Sequence, residues 1–311
     1  MSNIEHLGGQ RMRTYHLYQI DSFTKEKFLG NPAGVITNAD GLTELEMQKI
    51  ARELNNSETA FIFQPLDNSH DVHVRFFTPQ KEVPICGHAT IAAHYARAFE
   101  NKLGTARVYH KTGAGILPVD ILQHGDDYKI VMTQGEIFFG NKITGDSLEM
   151  LVRALGLNKN DLREDCPVCI ASTGHSKVMI GIQDIAQLHT LHPNMELLTK
   201  VSETIGCNGF YVFTLHPEEK VLVHGRMFAP AIGINEDPVT GNANGPLSAY
   251  LVHFGLTKYS DDYLTFTAMQ GEAIHRTGTL EVQVKIENNE PTEVKIVGNA
   301  VITFSTDLIL D

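Results

Sequence analysis

The chain has 311 residues, 42% of them apolar, and no apolar run near the roughly 18 residues that a membrane-spanning helix requires. That length can bury two hydrophobic cores, so composition points to a globular chain with no membrane partner. A formal net charge of −12, scattered Lys and Arg and no Trp argue against a nucleic-acid surface, and an anionic ligand would have to be held by local attraction.

The first 13 residues, MSNIEHLGGQRMR, lack an apolar stretch and a small-residue cleavage site. Residues 1–13 therefore read as a flexible extension rather than a signal peptide, and the protein is expected to be cytoplasmic. From Tyr15, YHLYQIDSF alternates like a strand, Gly30-Asn31-Pro32 makes a tight turn, and GVITN reads as a second strand. Asp40 to Leu54 has helical spacing at Leu42, Leu45, Met47, Ile50 and Leu54, with Thr43 and Glu46 in the pattern of a capping box. TAFIF and DVHVRFF read as strands, TPQKEVPICGH as a loop and ATIAAHYARAF as an apolar helix. The GAG at Gly113-Ala114-Gly115 lacks a third glycine and a following helix, so it reads as an ordinary turn rather than a dinucleotide fingerprint.

The second half runs similarly. Strands are expected near CPVCIAST and KVMIGI, a helix near PNMELLTKVSETIG, the strands FYVFTL and VHGRMFAP, and a helix starting near Gly241. EVQVKIEN, EVKIVGN and AVITFS then alternate as strands. The order predicts an α+β protein of two domains, each a mixed sheet curling about one inward apolar helix. We place the domains at residues 14–128 and 129–299, with a last strand near 300–311 returning to the first.

The two halves repeat a pattern. Arg75, Phe77, Pro79, Pro84, Gly87 and Ala89 correspond to Arg226, Phe228, Pro230, Pro238, Gly241 and Ala243, at an offset of about 151 to 154 residues. SETAFIF from Ser57 matches CNGFYVF from Cys207, and GNPAGVI from Gly30 has an echo in GHSKVMI from Gly174. This reads as an internal duplication. A repeat this long is a domain, and ligand sites tend to form where two domains meet. Two Gly-led helix starts facing one another would offer free backbone N–H groups to a carboxylate, which makes Gly87, Ala89, Gly241, Asn242 and Ala243 candidate substrate-binding residues.

The copies differ where chemistry would be done. Glu58 lies opposite Asn208, which cannot move protons, so a single carboxylate would both remove and return a proton. His88 follows Gly87 at a helix start and is a candidate proton shuttle, although a structural hydrogen bonder is the blander reading. Asp237 precedes Pro238 at the matching place, either as a catalytic carboxylate or as a turn and cap residue. Cys86 lies opposite Thr240, too weak an acid or base to serve the second face of a carbon in a two-base epimerisation. With His88 only two residues on, a Cys-His pair would need an unusual turn, so Cys86 reads as a buried structural thiol. Cys166 and Cys169 in CPVC lack a second pair, and His70, His73, His94, His189 and His192 form no metal set by spacing. No metal and no cofactor is assigned.

The blocks GNPAG, ARELNNSETAF, VRFFTPQKEVPICGHAT and EDPVTGNANGP resemble those of the PhzF-like phenazine-biosynthesis isomerase family, nearest to its YddE-like branch, from Tyr15 almost to the C-terminus. The resemblance implies the diaminopimelate-epimerase-like fold, two pseudo-symmetric domains with the active site between them, and a homodimer. It also implies a cofactor-free isomerisation of a small carboxylate, with Glu58 as general base and His88 and Asp237 as the other catalytic positions. The serine that the family carries after its TG pair is Asn242 here, which alters a substrate-side hydrogen bonder. Thr240 departs from the paired cysteines of the related epimerases. The alternatives are a silent carboxylate-binding protein and an amino-acid epimerase.

Overall fold

The structure, a computed structural model, describes residues 6–7 and 10–311, with side chains from Met12 onward. Residues 1–5 and 8–9 of the expected extension lie outside the described residues; His6–Leu7 pairs with Gln10–Arg11, and Arg13 opens the first long strand. The chain divides into two compact units, one up to Met132 together with Gly298–Asp311, the other Thr133–Val297.

In the first unit, Ala300–Leu310, Arg13–Ser22, Asn31–Ile36, Glu58–Phe63, Val72–Phe77, Ala106–Thr112, Gly115–His124 and Asp127–Thr133 pair in that order. Asn31–Ile36 runs parallel to Glu58–Phe63 and Val72–Phe77 parallel to Ala106–Thr112, while the other pairings are antiparallel. Helix α1 (Glu44–Leu54) starts at the expected capping box, where Thr43 Oγ1 accepts from the Glu46 N–H and Glu46 Oε2 accepts from the Thr43 N–H. Met47, Ile50 and Ala51 pack with Tyr15, Leu17, Ile36, Phe61 and Phe77 on one side of the sheet. Helix α2 (Gly87–Asn101) is different: nearly every residue from His88 to Ala98 is buried, all round the helix. Its alanines, Ala89, Ala92, Ala93, Ala96 and Ala98, let the strands come close, and the sheet curls about it.

The second unit repeats this plan. Ile137–Lys142, Cys169–Thr173, Ser176–Gly181, Phe210–Leu215, Val221–Ala229, Tyr263–Gln270, Gly278–Glu287 and Glu290–Gly298 follow one another. The parallel pairings again fall at the third and fifth steps. Helices α3 (Gly145–Leu155), α4 (Ile185–Thr190) and α5 (Met195–Ile205) bury Leu151, Leu155, Leu188, Leu198 and Val201 in one cluster. Helix α6 (Gly241–His253) is the central one, buried from Ala243 to Val252. The fold is thus α+β, with a mixed sheet around a central helix in each unit, as the order of elements predicts.

A buried polar chain steadies the start of α6. The Tyr211 hydroxyl donates to Asn244 Oδ1 at 2.8 Å, and Asn244 Nδ2 donates to Thr240 O at 3.0 Å and to Gln270 Oε1 at 2.6 Å. Gly225 makes room for it, because a Cβ there would overlap the Tyr211 hydroxyl and ring. Gly225→Ala is expected to destabilise the protein by about 1–3 kcal/mol, the usual cost of overpacking, as a lower urea midpoint; an unchanged midpoint would show that the ring has room to yield.

Candidate active site

Glu58 is the first residue of its strand, paired in register with Ala33 on the parallel neighbour. The turn before that neighbour depends on Gly30, at φ 63°, where any Cβ would meet the Ser22 carbonyl. Gly34 then admits Leu54, whose Cδ1 would lie 2.6 Å from an added Cβ. The GNPAG block therefore sets the backbone beside Glu58.

His88 is the second residue of α2 and 5% exposed. Its Nε2 lies 3.5 Å from Glu58 Oε2 and 3.2 Å from Ser57 Oγ, while Nδ1 lies 3.4 Å from Cys86 Sγ. The imidazole is therefore held on both ring nitrogens, with Glu58 and Ser57 on one side and the thiol on the other. Ser22 Oγ donates to the His88 carbonyl at 2.8 Å, and Thr90 Oγ1 donates to the Cys86 carbonyl at 2.7 Å, which fixes the first turn from below. Ahead of it, Gly113 allows the Pro84 backbone to approach, since a Cβ would sit 2.8 Å from Pro84 Cα. The GAG turn is thus a packing element against the loop that leads into the site.

The Cys86–His88 pairing corrects the sequence reading. Cys86 is the N-cap of α2 in an extended conformation, φ −144° and ψ 127°, and this ordinary helix entry brings the thiol to the imidazole two residues on. No unusual turn is needed. The thiol is buried, as expected, and does not cap the helix, so the first-turn amides of Gly87, His88 and Ala89 have no acceptor on the cap side chain.

In the second unit, Asp237 ends the short strand Ile234–Asp237, opposite Met227, and Thr240 is the N-cap of α6 with nearly the same backbone angles as Cys86. The two helix starts are not equivalent, contrary to the sequence expectation. Thr240 Oγ1 accepts from the Asn242 N–H at 3.2 Å, and the Thr240 carbonyl takes the Ala243 N–H at 3.4 Å. Those two amides of the Gly241–Asn242–Ala243 segment are already engaged. Gly241 packs on Ile296. Lys177, which sequence reading passed over, lies under Gly209; burial pushes its ammonium pKa down, against the opposing pull of Cys207 and Asp237. Its place in the GHSKVMI block, against the Ala33 position of GNPAGVI, was the available signal.

The thiols of Cys166 and Cys169 are free and buried, and burial raises each pKa to about 11, so neither is a reactive thiolate near neutral pH. Among the described residues, two groups bring three metal-type donors together: Glu58, Cys86 and His88, and separately His189, His224 and Glu272. No helix among the described residues is long and apolar enough to cross a membrane.

Residues 20–306 match the sequence model of the family described as phenazine biosynthesis-like protein, PhzC-PhzF. The chain is 65% identical to an uncharacterized isomerase of Clostridium acetobutylicum, over 96% of this chain and 100% of the relative. It is 45% identical to the uncharacterized isomerase YddE of Escherichia coli K12, over 95% and 98%. It is 30% identical to the trans-2,3-dihydro-3-hydroxyanthranilate isomerase of Pseudomonas chlororaphis, over 95% and 99%. A crystal structure of a Bacillus anthracis PhzF-family protein superposes with a TM-score of 0.85 at 32% identity, covering 96% of this chain and 99% of that one.

Proposed function

Because the chain belongs to the phenazine biosynthesis-like PhzC-PhzF family and is an isomerase of it, we propose that it moves a proton within a small unsaturated or cyclic carboxylate, using Glu58 as its single base and no cofactor. The observation that carries this reading is the Glu58–His88 pair at the start of α2, 3.5 Å apart and flanked by Ser57. Glu58 takes a proton from a carbon made acidic by the adjacent conjugated system and returns it to a neighbouring carbon. His88 shares the proton at Nε2, where both Glu58 and Ser57 reach it. The amides of Gly87, His88 and Ala89 hold the substrate carboxylate and offset the charge that develops as the proton leaves. Asp237 and the Gly241–Ala243 helix start are proposed as assisting groups on the family motif alone. The engaged amides of Asn242 and Ala243 leave the Asn242 side chain as the group offered there. The product class follows from one base: a double-bond shift, with the transferred proton kept on one face.

The test is proton NMR in deuterated water with cyclic and unsaturated carboxylates, trans-2,3-dihydro-3-hydroxyanthranilate among them. Exchange or migration at a carbon-bound position supports the reading, whereas saturable binding without exchange would favour a silent carboxylate-binding protein. The buried thiol 3.4 Å from His88 Nδ1 gives the epimerase alternative a specific observation. Cys86→Ser separates the two: a single-base isomerase keeps turnover within a few-fold, and product of inverted configuration that disappears in Cys86→Ser would establish the epimerase instead.

A further inference from the structure

His189 and His224 are 35 residues apart in the chain and His224 and Glu272 are 48 apart, yet the second unit gathers them at one point. His224 stands on Val221–Ala229, His189 near the end of α4, and Glu272 opens a single 3-10 turn after Tyr263–Gln270. His224 Nδ1 is 2.8 Å and His189 Nε2 is 3.3 Å from the same oxygen, Glu272 Oε2, and the three donor atoms lie within 4.8 Å of one another. We propose that these three side chains form a binding site for one divalent transition-metal ion of the zinc class, distinct from the Glu58–His88 pair.

Three observations carry it. The donor chemistry is two imidazoles and one carboxylate, a set suited to zinc. With metal–ligand bonds of about 2.0–2.1 Å, neighbouring donors in a tetrahedral site stand roughly 3.3 Å apart, and the two contacts to Glu272 Oε2 are already near that spacing. Second, His189 Nε2 is buried without a hydrogen bond, although it faces the carboxylate. A buried ring nitrogen left so costs stability that a metal bond would recover. Third, the ligands are held before any ion arrives. Arg226 Nη1 donates to the carbonyls of Leu188, His189 and Leu191, clamping the end of α4 over the strand that carries His224. The Arg226 charge does not oppose a cation, because Glu236 takes its Nε and Nη2 at 2.9 and 2.8 Å. Glu272 therefore contributes its charge to the cluster. The side chains of His189 and Glu272 are 35% and 22% exposed, so the cluster lies near the surface although the His189 donor atom itself is covered.

The test is equilibrium dialysis of the chelator-treated full chain against zinc, followed by cobalt(II) spectroscopy. One equivalent bound in the wild type, weakened at least 10-fold in His224→Gln and in Glu272→Gln, supports the site. The cobalt complex should show visible bands and no near-ultraviolet sulfur-to-cobalt charge transfer. Should the buried-strand variant fail to fold, His189→Ala, at the half-exposed end of α4, decides the matter by the same loss. No saturable binding, binding unchanged in His189→Ala, or a thiolate charge-transfer band that moves the ion to the cysteines would overturn the proposal.

Discussion

Glu58→Gln is expected to lower turnover by about 10²–10⁴-fold, the usual contribution of a positioned general base, with KM changed only a few-fold. Gln has the shape of Glu and can still face His88 Nε2, so the strand start and the first turn of α2 should stand. What it lacks is the capacity to accept a proton from carbon. The separation of effects follows from the proposed mechanism, which gives substrate binding to the amides of Gly87, His88 and Ala89 and proton abstraction to Glu58, so ground-state binding is left in place while the transition state loses its proton acceptor. Solvent deuterium incorporation, measured beside KM on the same substrate, checks both halves. Turnover within a few-fold of wild type would remove Glu58 from the role of base.

Acid should destabilise the first unit through a buried imidazole pair remote in sequence from Glu58. His94, on α2, and His110, on Ala106–Thr112, are both essentially inaccessible, with Nε2 and Nδ1 3.3 Å apart. His94 Nδ1 and His110 Nε2 have no hydrogen-bond partner. Burial drives both pKa values down, that of His110 to about 4 and that of His94 well below its ordinary value, where the neighbouring His110 and Arg97 add repulsion. In the unfolded chain each takes up a proton near pH 6.5, in the folded chain only at much lower pH. The unfolded state thus binds more protons across that window, and stability falls as pH drops from about 6.5 toward 4. At up to ~1.4 kcal/mol per pH unit for each histidine, and with the unfolded imidazoles only half protonated at pH 6.5, the pair removes at most about 3 kcal/mol between pH 6.5 and pH 5. Urea midpoints at pH 7 and pH 5 measure this, and His110→Gln should roughly halve the difference. Carboxylates act lower: the Glu46 pKa, held to about 2 chiefly by the Arg13 guanidinium, contributes above its ordinary value and is lost only as pH falls below about 4.5. Equal midpoints at pH 7 and 5 would mean that the pair is reached by water or titrates together with the unfolding transition of another segment.

The parts of the fold that sequence made legible are those with strong local grammar. The Thr43–Glu46 box and the apolar spacing of Leu42 to Leu54 announce α1, and the alanine-rich run after Gly87 announces a helix buried on all sides. Helix α3 lies outside the sequence expectation although GDSLEMLVRALG carries an apolar stripe and a C-terminal glycine, because it has no counterpart in the blocks that the two halves share. Glu58 stands out through the asymmetry of those blocks, where its counterpart is Asn208, and His88 through its place after Gly87 at a helix start. The thiol beside His88 does not, since its approach depends on the extended angles of an N-cap, which spacing alone does not convey. The inequality of the two helix starts was hidden for a similar reason: a threonine hydroxyl reaches back to its own helix and a cysteine thiol does not. Long-range clusters such as His189, His224 and Glu272 leave no local trace, because three separate elements supply one donor each.

The strand Ala300–Leu310 lies antiparallel to Arg13–Ser22, so that His16 meets Asp307 across 291 positions of chain. During synthesis the residues of the second unit, 133–297, emerge as one uninterrupted stretch before this strand exists. Meanwhile Arg13–Ser22 has its Asn31–Ile36 neighbour but an open edge on the other side. The ribosome therefore delivers the units out of register with their numbering: the later-coded unit can finish first, while the earlier one waits with a bare strand that invites pairing with another nascent chain. Such a layout favours slow completion of the first unit and makes its exposed edge the place where a chaperone would have most to protect.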